Sequence, residues 1–261
     1  MNLAAYLERI KWHGPVACNL ETLREIHFHH ATQIPFENLD IQLGIPISLD
    51  LAHLEEKMIT RRRGGYCFEQ NHLFQAALRE IGFKVTACDA RVRMGVNVIA
   101  SRSHMLLLAS APEGQFLCDV GFGGEGLLYP VAMDGEAHQQ FLWNYRVAQE
   151  GRLRVLQSKH EDRWMDLYAF DPIGCEPVDF EVANWYTSTH PKSRFVLTLT
   201  AQLPLPDARH ILRNRQYTID RGSQVESSEI KTKEELLELL RSVFDLRVPP
   251  DAHLRNPSFD L

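Results

Sequence analysis

At Lys84 the spacing of apolar residues changes from three-to-four to two. Upstream, Leu20, Leu23, Ile26 and His27 recur on a helical repeat that Pro35 stops. Ser48-Leu49-Asp50 predicts the cap of a second helix through Leu54 to Met58. Arg61-Arg62-Arg63-Gly64-Gly65 is a breaker. It is followed by a helix over Phe68–Ile81 with an apolar stripe of Leu73, Phe74, Ala77, Leu78 and Ile81, stopping at Gly82. Downstream, alternation predicts strands at Lys84–Arg93, His104–Ala109, Gln115–Val120, Phe141–Ala148, Arg152–Gln157 and Arg163–Ala169. Short strands in series imply an antiparallel sheet or barrel. A short helix at Asp179–Thr187, strands at Phe195–Leu203 and Arg213–Asp220, and an amphipathic helix at Lys233–Phe244 complete the pattern. Helices first, then sheet, then a mixture defines a segregated α+β fold.

Composition narrows the function classes. The chain of 261 residues carries a formal charge of −6, which argues against nucleic acid or an anionic membrane as partner. Its longest apolar run, Met105 to Ala109, is too short to span a bilayer. Met1 to Lys11 shows no apolar export core, so a cytoplasmic protein is expected. Five scattered cysteines (18, 67, 88, 118 and 175) do not form a disulfide framework. No Cys-x-x-Cys or His-Glu-x-x-His spacing calls for zinc, and the run His27-Phe28-His29-His30 reads as a helix face and its end, so no metal site is expected.

The chemistry centres on Cys67. It follows Gly64-Gly65-Tyr66 and opens a helix, where the dipole and unpaired amides favour a thiolate. Free cysteines are usually small buried hydrophobes, and Cys18, Cys88, Cys118 and Cys175 fit that description. A nucleophilic thiolate needs an imidazole, and the imidazole needs an orienting group. If Ser110 to Gly114 forms a hairpin turn, His104 and Asp119 fall opposite or nearly so, with Cβ atoms at about 4.5–8 Å. A surface-facing His–Asp pair on an edge strand satisfies the same spacing. Gly121-Phe122-Gly123-Gly124-Glu125-Gly126 matches a dinucleotide fingerprint, but Pro130 arrives before the helix that motif requires. A glycine-rich loop can still let a ligand approach the backbone.

Four blocks carry a resemblance: Ile34-Pro35-Phe36-Glu37-Asn38-Leu39, Arg63-Gly64-Gly65-Tyr66-Cys67-Phe68-Glu69, Ser103-His104-Met105 and Asp119-Val120-Gly121-Phe122-Gly123. In order and separation they are similar to the signature blocks of the arylamine N-acetyltransferase family. The resemblance extends to the Asn214-Arg215-Gln216-Tyr217 strand and the Leu236–Phe244 helix. It implies a helical bundle over 1–83 carrying the nucleophile, an antiparallel β-barrel over 84–190 carrying His and Asp, and an α/β lid over 191–261. The core would be cysteine-protease-like.

The resemblance further implies that Cys67 takes an acetyl group from acetyl-CoA and passes it to an arylamine, arylhydrazine or N-hydroxyarylamine. His104 would act as base and acid, and Asp119 would hold its tautomer. Phe122, Tyr66 and Phe36 fall in motifs matching the family's aromatic acceptor pocket. Ser103 is expected in the same cleft, and the Gly123-Gly124 backbone beside CoA. Arg63 and Glu37 are expected to pair as an exposed, weak brace. Three other readings share the blocks: a polyketide-pathway amide synthase, a thiol hydrolase or transglutaminase-like enzyme, and an inactive binding module. The oligomeric state is left open.

Overall fold

Two asparagines start the first two helices. Asn2 accepts the Ala5 N–H at the head of α1 (Leu3–Arg9), and Asn19 accepts the Thr22 N–H at the head of α2 (Leu20–Gln33). Each such cap is worth about 1 kcal/mol. The computed structural model describes residues 1–95 and 99–255. The expected lid runs to 261, so its last six positions lie outside the described residues.

After α2 the chain turns extended at Ile34 and makes the two-residue strand β1 (Phe36–Glu37), then the short helices α3 (Leu39–Leu43) and α4 (Leu51–Leu54). The second helix expected from Ser48 is thus only one turn of α-helix. It loosens into a π-helical turn over Glu55–Thr60, which buries Lys57 and Met58. Helix α5 (Cys67–Ile81) follows and ends at Gly82, its expected stop.

The sheet region holds β2 (Lys84–Val92), β3 (Arg102–Ala111), β4 (Gly114–Cys118), β5 (Val131–Ala132), β6 (His138–Gln140), β7 (Trp143–Glu150), β8 (Leu153–His160) and β9 (Arg163–Phe170). They pair antiparallel in the order β5-β4-β3-β2-β9-β8-β7-β6, a nearly closed eight-stranded barrel. Strand β3 is buried along most of its length because both faces are covered. Met105, Leu107 and Ala109 join the core under the helices, whereas Leu106 and Leu108 join the barrel core with Tyr145, Leu156 and Tyr168. The β3–β4 turn is tighter than expected, since Ala111 already pairs with Gly114.

Helices α6 (Pro177–Thr189) and α7 (Arg194–Leu197) lead to the second sheet: β10 (Thr200–Pro204), β11 (Arg209–Arg213), β12 (Gln216–Asp220) and β13 (Val225–Glu229), closed by α8 (Lys233–Phe244). Strand β1 pairs with β10 at the edge of this sheet, so the first block of motifs is stitched to the C-terminal sheet. Helix α8 has the expected bounds. Thr232 caps it, and Leu236, Leu240 and Phe244 bury one stripe against Leu199, Ala201 and Leu212.

Two expectations fail here. The strand expected from Phe195 begins only at Thr200, because the Ser193 hydroxyl accepts the Phe195 N–H and starts α7 instead. The strand expected over Arg213–Asp220 is broken by a turn in which Asn214 adopts a left-handed conformation, φ 50°. Among the described residues, no helix is long and apolar enough to cross a membrane.

Candidate active site

Cys67 is the first residue of α5. The first α-helical bond of α5 is from the Gln70 N–H to the Tyr66 carbonyl, so the N–H groups of Cys67, Phe68 and Glu69 lie ahead of the ladder. The helix start is pinned from two sides. Glu69 folds back to accept the Tyr66 N–H at 3.1 Å, and the Glu37 N–H bonds the Gly65 carbonyl at 3.0 Å. Gly64 has no room for a side chain, since a Cβ there would sit 2.0 Å from the Pro35 carbonyl oxygen. The glycines before Cys67 therefore serve close backbone approach to β1. They do not uncover the sulfur, for Cys67 is only 2% exposed, at the floor of a cleft of about 450 Å³.

His104 lies two residues into β3 and pairs with Ala90 of β2, while Asp119 follows the end of β4. The register sets them diagonally on the hairpin, and the side chains close the gap: His104 Nε2 to Asp119 Oδ2 is 2.7 Å. The edge-strand alternative is thus excluded, since both residues are buried. Burial alone would lower the His104 pKa. The Asp119 charge and hydrogen bond, with a further contribution from the Cys67 sulfur, outweigh it and push the imidazole up to about 10. For Asp119, burial acts upward, but His104, Asn71 and Tyr168 together hold the carboxyl below its ordinary value.

Three residues of this site escaped the sequence reading. Asn71 Nδ2 donates to Asp119 Oδ1 at 3.0 Å and to the Met105 carbonyl at 2.8 Å. Tyr168 donates its hydroxyl to Asp119 Oδ2 at 2.8 Å. His27 Nε2 accepts the Asp119 backbone N–H at 3.1 Å. Asn71 was within reach of the sequence: it stands four residues after Cys67 on the same helix and so shares its face. Tyr168 and His27 carry no comparable local signal.

The cleft collects some of the expected contacts and not others. Phe36, Ser103 and Phe122 line it with Cys67 and His104, and the Phe122 ring stands edge-on to His104 with centroids 5.0 Å apart. The Cys67 thiol faces the Ser103 carbonyl, with Sγ to O at 3.8 Å. Tyr66 is fully buried in the helical core, hydrogen-bonded to Asn184 of α6, and does not line the cleft. Gly123 and Gly124 are buried too. Gln202 of β10 lies against Gly123, and Ile211 of β11 fills the space a Gly124 side chain would take. Phe195 and Thr200 line the cleft from the C-terminal part of the chain.

The expected surface brace is a buried network. Arg63 bonds Glu37 at 2.9 Å and Asp40 at 3.0 Å, and Lys57 bonds Asp40 and Glu69, each at 2.7 Å. It ties α3, the π-helical turn and the head of α5 together directly behind Cys67. A larger hollow of about 740 Å³ contains none of Cys67, His104 and Asp119, and its Arg93 and Arg102 are paired with Glu150, Asp166 and Asp89. Among the described residues, no group of three or more His, Cys, Asp or Glu gathers to hold a metal.

Fold and site together define a mixed helix-and-sheet protein in which a thiol and an imidazole line one cleft and a buried carboxylate backs the imidazole. Comparison with known proteins is specific. The family model described as N-acetyltransferase matches residues 19–253. Arylamine N-acetyltransferase of Escherichia coli is 37% identical over 95% of this chain and 90% of its own. The Salmonella typhimurium arylamine N-acetyltransferase / N-hydroxyarylamine O-acetyltransferase is 37% identical over 96% and 91%. Among solved structures, the Mycobacterium marinum arylamine N-acetyltransferase in complex with CoA superimposes with a TM-score of 0.90, at 34% identity, over 94% of this chain and 92% of that one. This chain belongs to the arylamine N-acetyltransferase family of transferases.

Proposed function

We propose that the protein moves an acetyl group from acetyl-CoA to arylamines, arylhydrazines or N-hydroxyarylamines in two half-reactions through an acetyl-cysteine at Cys67. The observation that carries this reading is the 2.7 Å bond from His104 to Asp119 at the same cleft as the Cys67 sulfur. Asp119 holds His104 as an imidazolium, its pKa pushed up to about 10, so the ring has a proton to give at neutral pH.

In the first half-reaction Sγ attacks the thioester carbonyl, the bond from carbon to the CoA sulfur breaks, and His104 supplies the proton to the leaving CoA. Thiolate and leaving group are both sulfurs, so the step is nearly balanced. In the second, the acceptor nitrogen (or hydroxylamine oxygen) attacks the acetyl carbon. The neutral imidazole takes the proton it sheds, and the Cys67 sulfur leaves. Anilines suit this step because they are weak bases and stay unprotonated at neutral pH. The N–H groups at the head of α5 are the donors for the oxyanion. Phe122, Phe36 and Phe195 supply an apolar wall for an aromatic acceptor. All five cysteines are free, in keeping with a reducing, cytoplasmic setting.

Incubation with acetyl-CoA followed by intact-mass and peptide analysis tests the proposal. One acetyl group at Cys67, discharged by added aniline with CoA released, is the expected result. No acetylation, with cleavage of a peptide amide instead, would establish the hydrolase reading. Acetylation that no simple arylamine discharges would point to the amide synthase.

A further inference from the structure

The stretch Gly121-Phe122-Gly123-Gly124-Glu125-Gly126 has little stiffness of its own, so its shape is imposed by its neighbours. It carries Phe122, whose ring centroid lies 5.0 Å from that of His104 and 5.0 Å from that of Tyr168. At the near end the Gly121 N–H donates to Asp119 Oδ1. The far end is held by the C-terminal sheet and the barrel together. Gln202 of β10 accepts the Gly124 N–H. Arg209, the first residue of β11 and 1% exposed, brings Nη1 to 3.1 Å from Glu125 Oε2. Its Nη2 donates to the Tyr145 hydroxyl of β7 at 2.6 Å, and that hydroxyl donates to the Gly126 carbonyl at 3.1 Å. The guanidinium also covers the Trp143 ring, 4.1 Å from its centroid. One buried side chain thus reaches the loop twice, through the Glu125 carboxylate and through the Gly126 backbone. Arg209 Nη1 makes no hydrogen bond among the described residues, so charge is what joins it to Glu125.

We infer that Arg209 is a positioning residue for the second half-reaction: it holds the loop so that Phe122 stays against His104, and the acetyl-cysteine is discharged by an aromatic amine rather than by water. This rests on the acetyl-cysteine reading above. The thioester on Cys67 is open to either nucleophile. Each attacks the same carbon, gives its proton to the same imidazole and expels the same sulfur; the amine leaves as its amide and water as acetate. The groups that react do not choose between them. Access does. Phe122 presents an apolar wall beside the imidazole, a surface that an aromatic ring covers and that water gains nothing from. A glycine loop free to swing would carry that wall away, admitting water and losing the surface that orients the acceptor. Arg209 does not line the cleft, so it acts there only through the loop.

The experiment loads Cys67 with acetyl-CoA, removes the excess, and follows loss of the acetyl mass with and without aniline. The ratio of discharge by aniline to discharge by water should fall about tenfold or more in Arg209→Met. Arg209→Lys, which keeps the charge, should lie between that variant and the wild type. Hydrogen exchange at the amides of 121–126 should quicken in Arg209→Met by a similar factor. Glu125 is not left alone in that variant, since His160 stays 3.7 Å away and the Glu125 charge also acts on Arg213. If Arg209→Met does not fold, Glu125→Gln breaks the same contact from the loop side and must lower the ratio in the same direction. A lower urea midpoint with both discharge rates changed alike, so that the ratio holds, overturns the assignment and leaves Arg209 a purely structural role. Unchanged exchange in the loop overturns it too. If wild-type Cys67 takes no acetyl group, the acetyl-transfer reading falls by itself, and the exchange measurement still decides whether Arg209 holds the loop.

Discussion

His27 Nε2 accepts the backbone N–H of Asp119 at 3.1 Å while its Nδ1 lies 3.1 Å from the carbonyl of Leu128. The two bonds set the tautomer: Nδ1 carries the proton and Nε2 is bare. Helix α2 thereby grips the backbone that aims Asp119 at His104. Burial, the dominant influence on His27, lowers its pKa to about 4 against the pull of Leu128 and Asp119, and burial likewise takes His30 to about 3. In the unfolded chain both imidazoles take up protons below about pH 6.5, whereas in the folded chain they do not, so stability is full above that pH and falls toward pH 4. Each imidazole contributes a slope of up to about 1.4 kcal/mol per pH unit. His27→Leu should flatten this slope, measured from urea midpoints between pH 7 and 4. It should also cost about 1–3 kcal/mol at pH 7 by orphaning a buried N–H. An unchanged slope would refute the neutral-imidazole assignment.

Asp119→Asn tests the opposite end of the same chain of contacts. The amide can keep the bonds to Asn71 and Tyr168, but it cannot hold an imidazolium, and it can present an N–H where His104 needs an acceptor. Turnover should fall about 10³–10⁴-fold with the fold intact. The His104 pKa should drop from about 10 toward its ordinary 6.5. The stabilisation that goes with the raised value is fully present below about pH 6.5 and is lost as pH rises through about 10, so it should vanish in the variant. NMR titration of the imidazole together with urea midpoints from pH 6 to 10 checks both parts. Full turnover in Asp119→Asn would remove Asp119 from the mechanism.

Much of this was legible before any coordinates, and the failures have physical causes. The change of period at Lys84 marked where the first helices give way to sheet, and α8 kept its bounds because capping and the apolar stripe agree there. Strand β13 was missed because all five of its residues, Val225–Glu229, are exposed, so no buried face imprints an alternation. Cys67, His104 and Asp119 stood out because polar groups in apolar strands and a cysteine at a helix head need a reason. Tyr66 looked like a cleft residue because it adjoins Cys67 in sequence, yet N-cap geometry turns its ring into the helical core. Tyr168 and His27 reach Asp119 from elements 49 and 92 residues away, contacts that only the closed barrel and its packed helix create.

The charge network behind Cys67 predicts an asymmetric mutational response. Lys57 sits between Asp40 and Glu69, buried, on the π-helical turn. Lys57→Met should cost about 3–5 kcal/mol in urea unfolding, because two buried carboxylates lose their cation. Burial raises the Glu69 pKa despite Lys57, so removing the cation pushes it further up. A carboxyl whose folded pKa is raised weakens the fold as pH rises toward that value, so the penalty should be smaller at pH 6 than at pH 8. Adding Glu69→Gln should recover part of the loss. If the double variant were no more stable than Lys57→Met, the coupling between the two would be disproved.

Gly121→Ala probes how tightly the loop after Asp119 fits the nucleophile. A Cβ at position 121 would sit 2.8 Å from Cys67 Cα and 2.9 Å from Asn71 Nδ2. The first neighbour is backbone at the pinned head of α5 and cannot swing away. The second is the amide that holds Asp119. The loop must therefore lift, which moves the Gly121 N–H off Asp119 Oδ1, now 3.0 Å away. Overpacking of this kind costs about 1–3 kcal/mol. The sharper expectation is kinetic: the rate of Cys67 acetylation should fall at least tenfold, since about 1.4 kcal/mol of misalignment suffices for that. Rapid-quench measurement of acetylation against the urea midpoint separates the two effects. A destabilised protein that still acetylates at the wild-type rate would show that the contact between loop and helix serves stability alone.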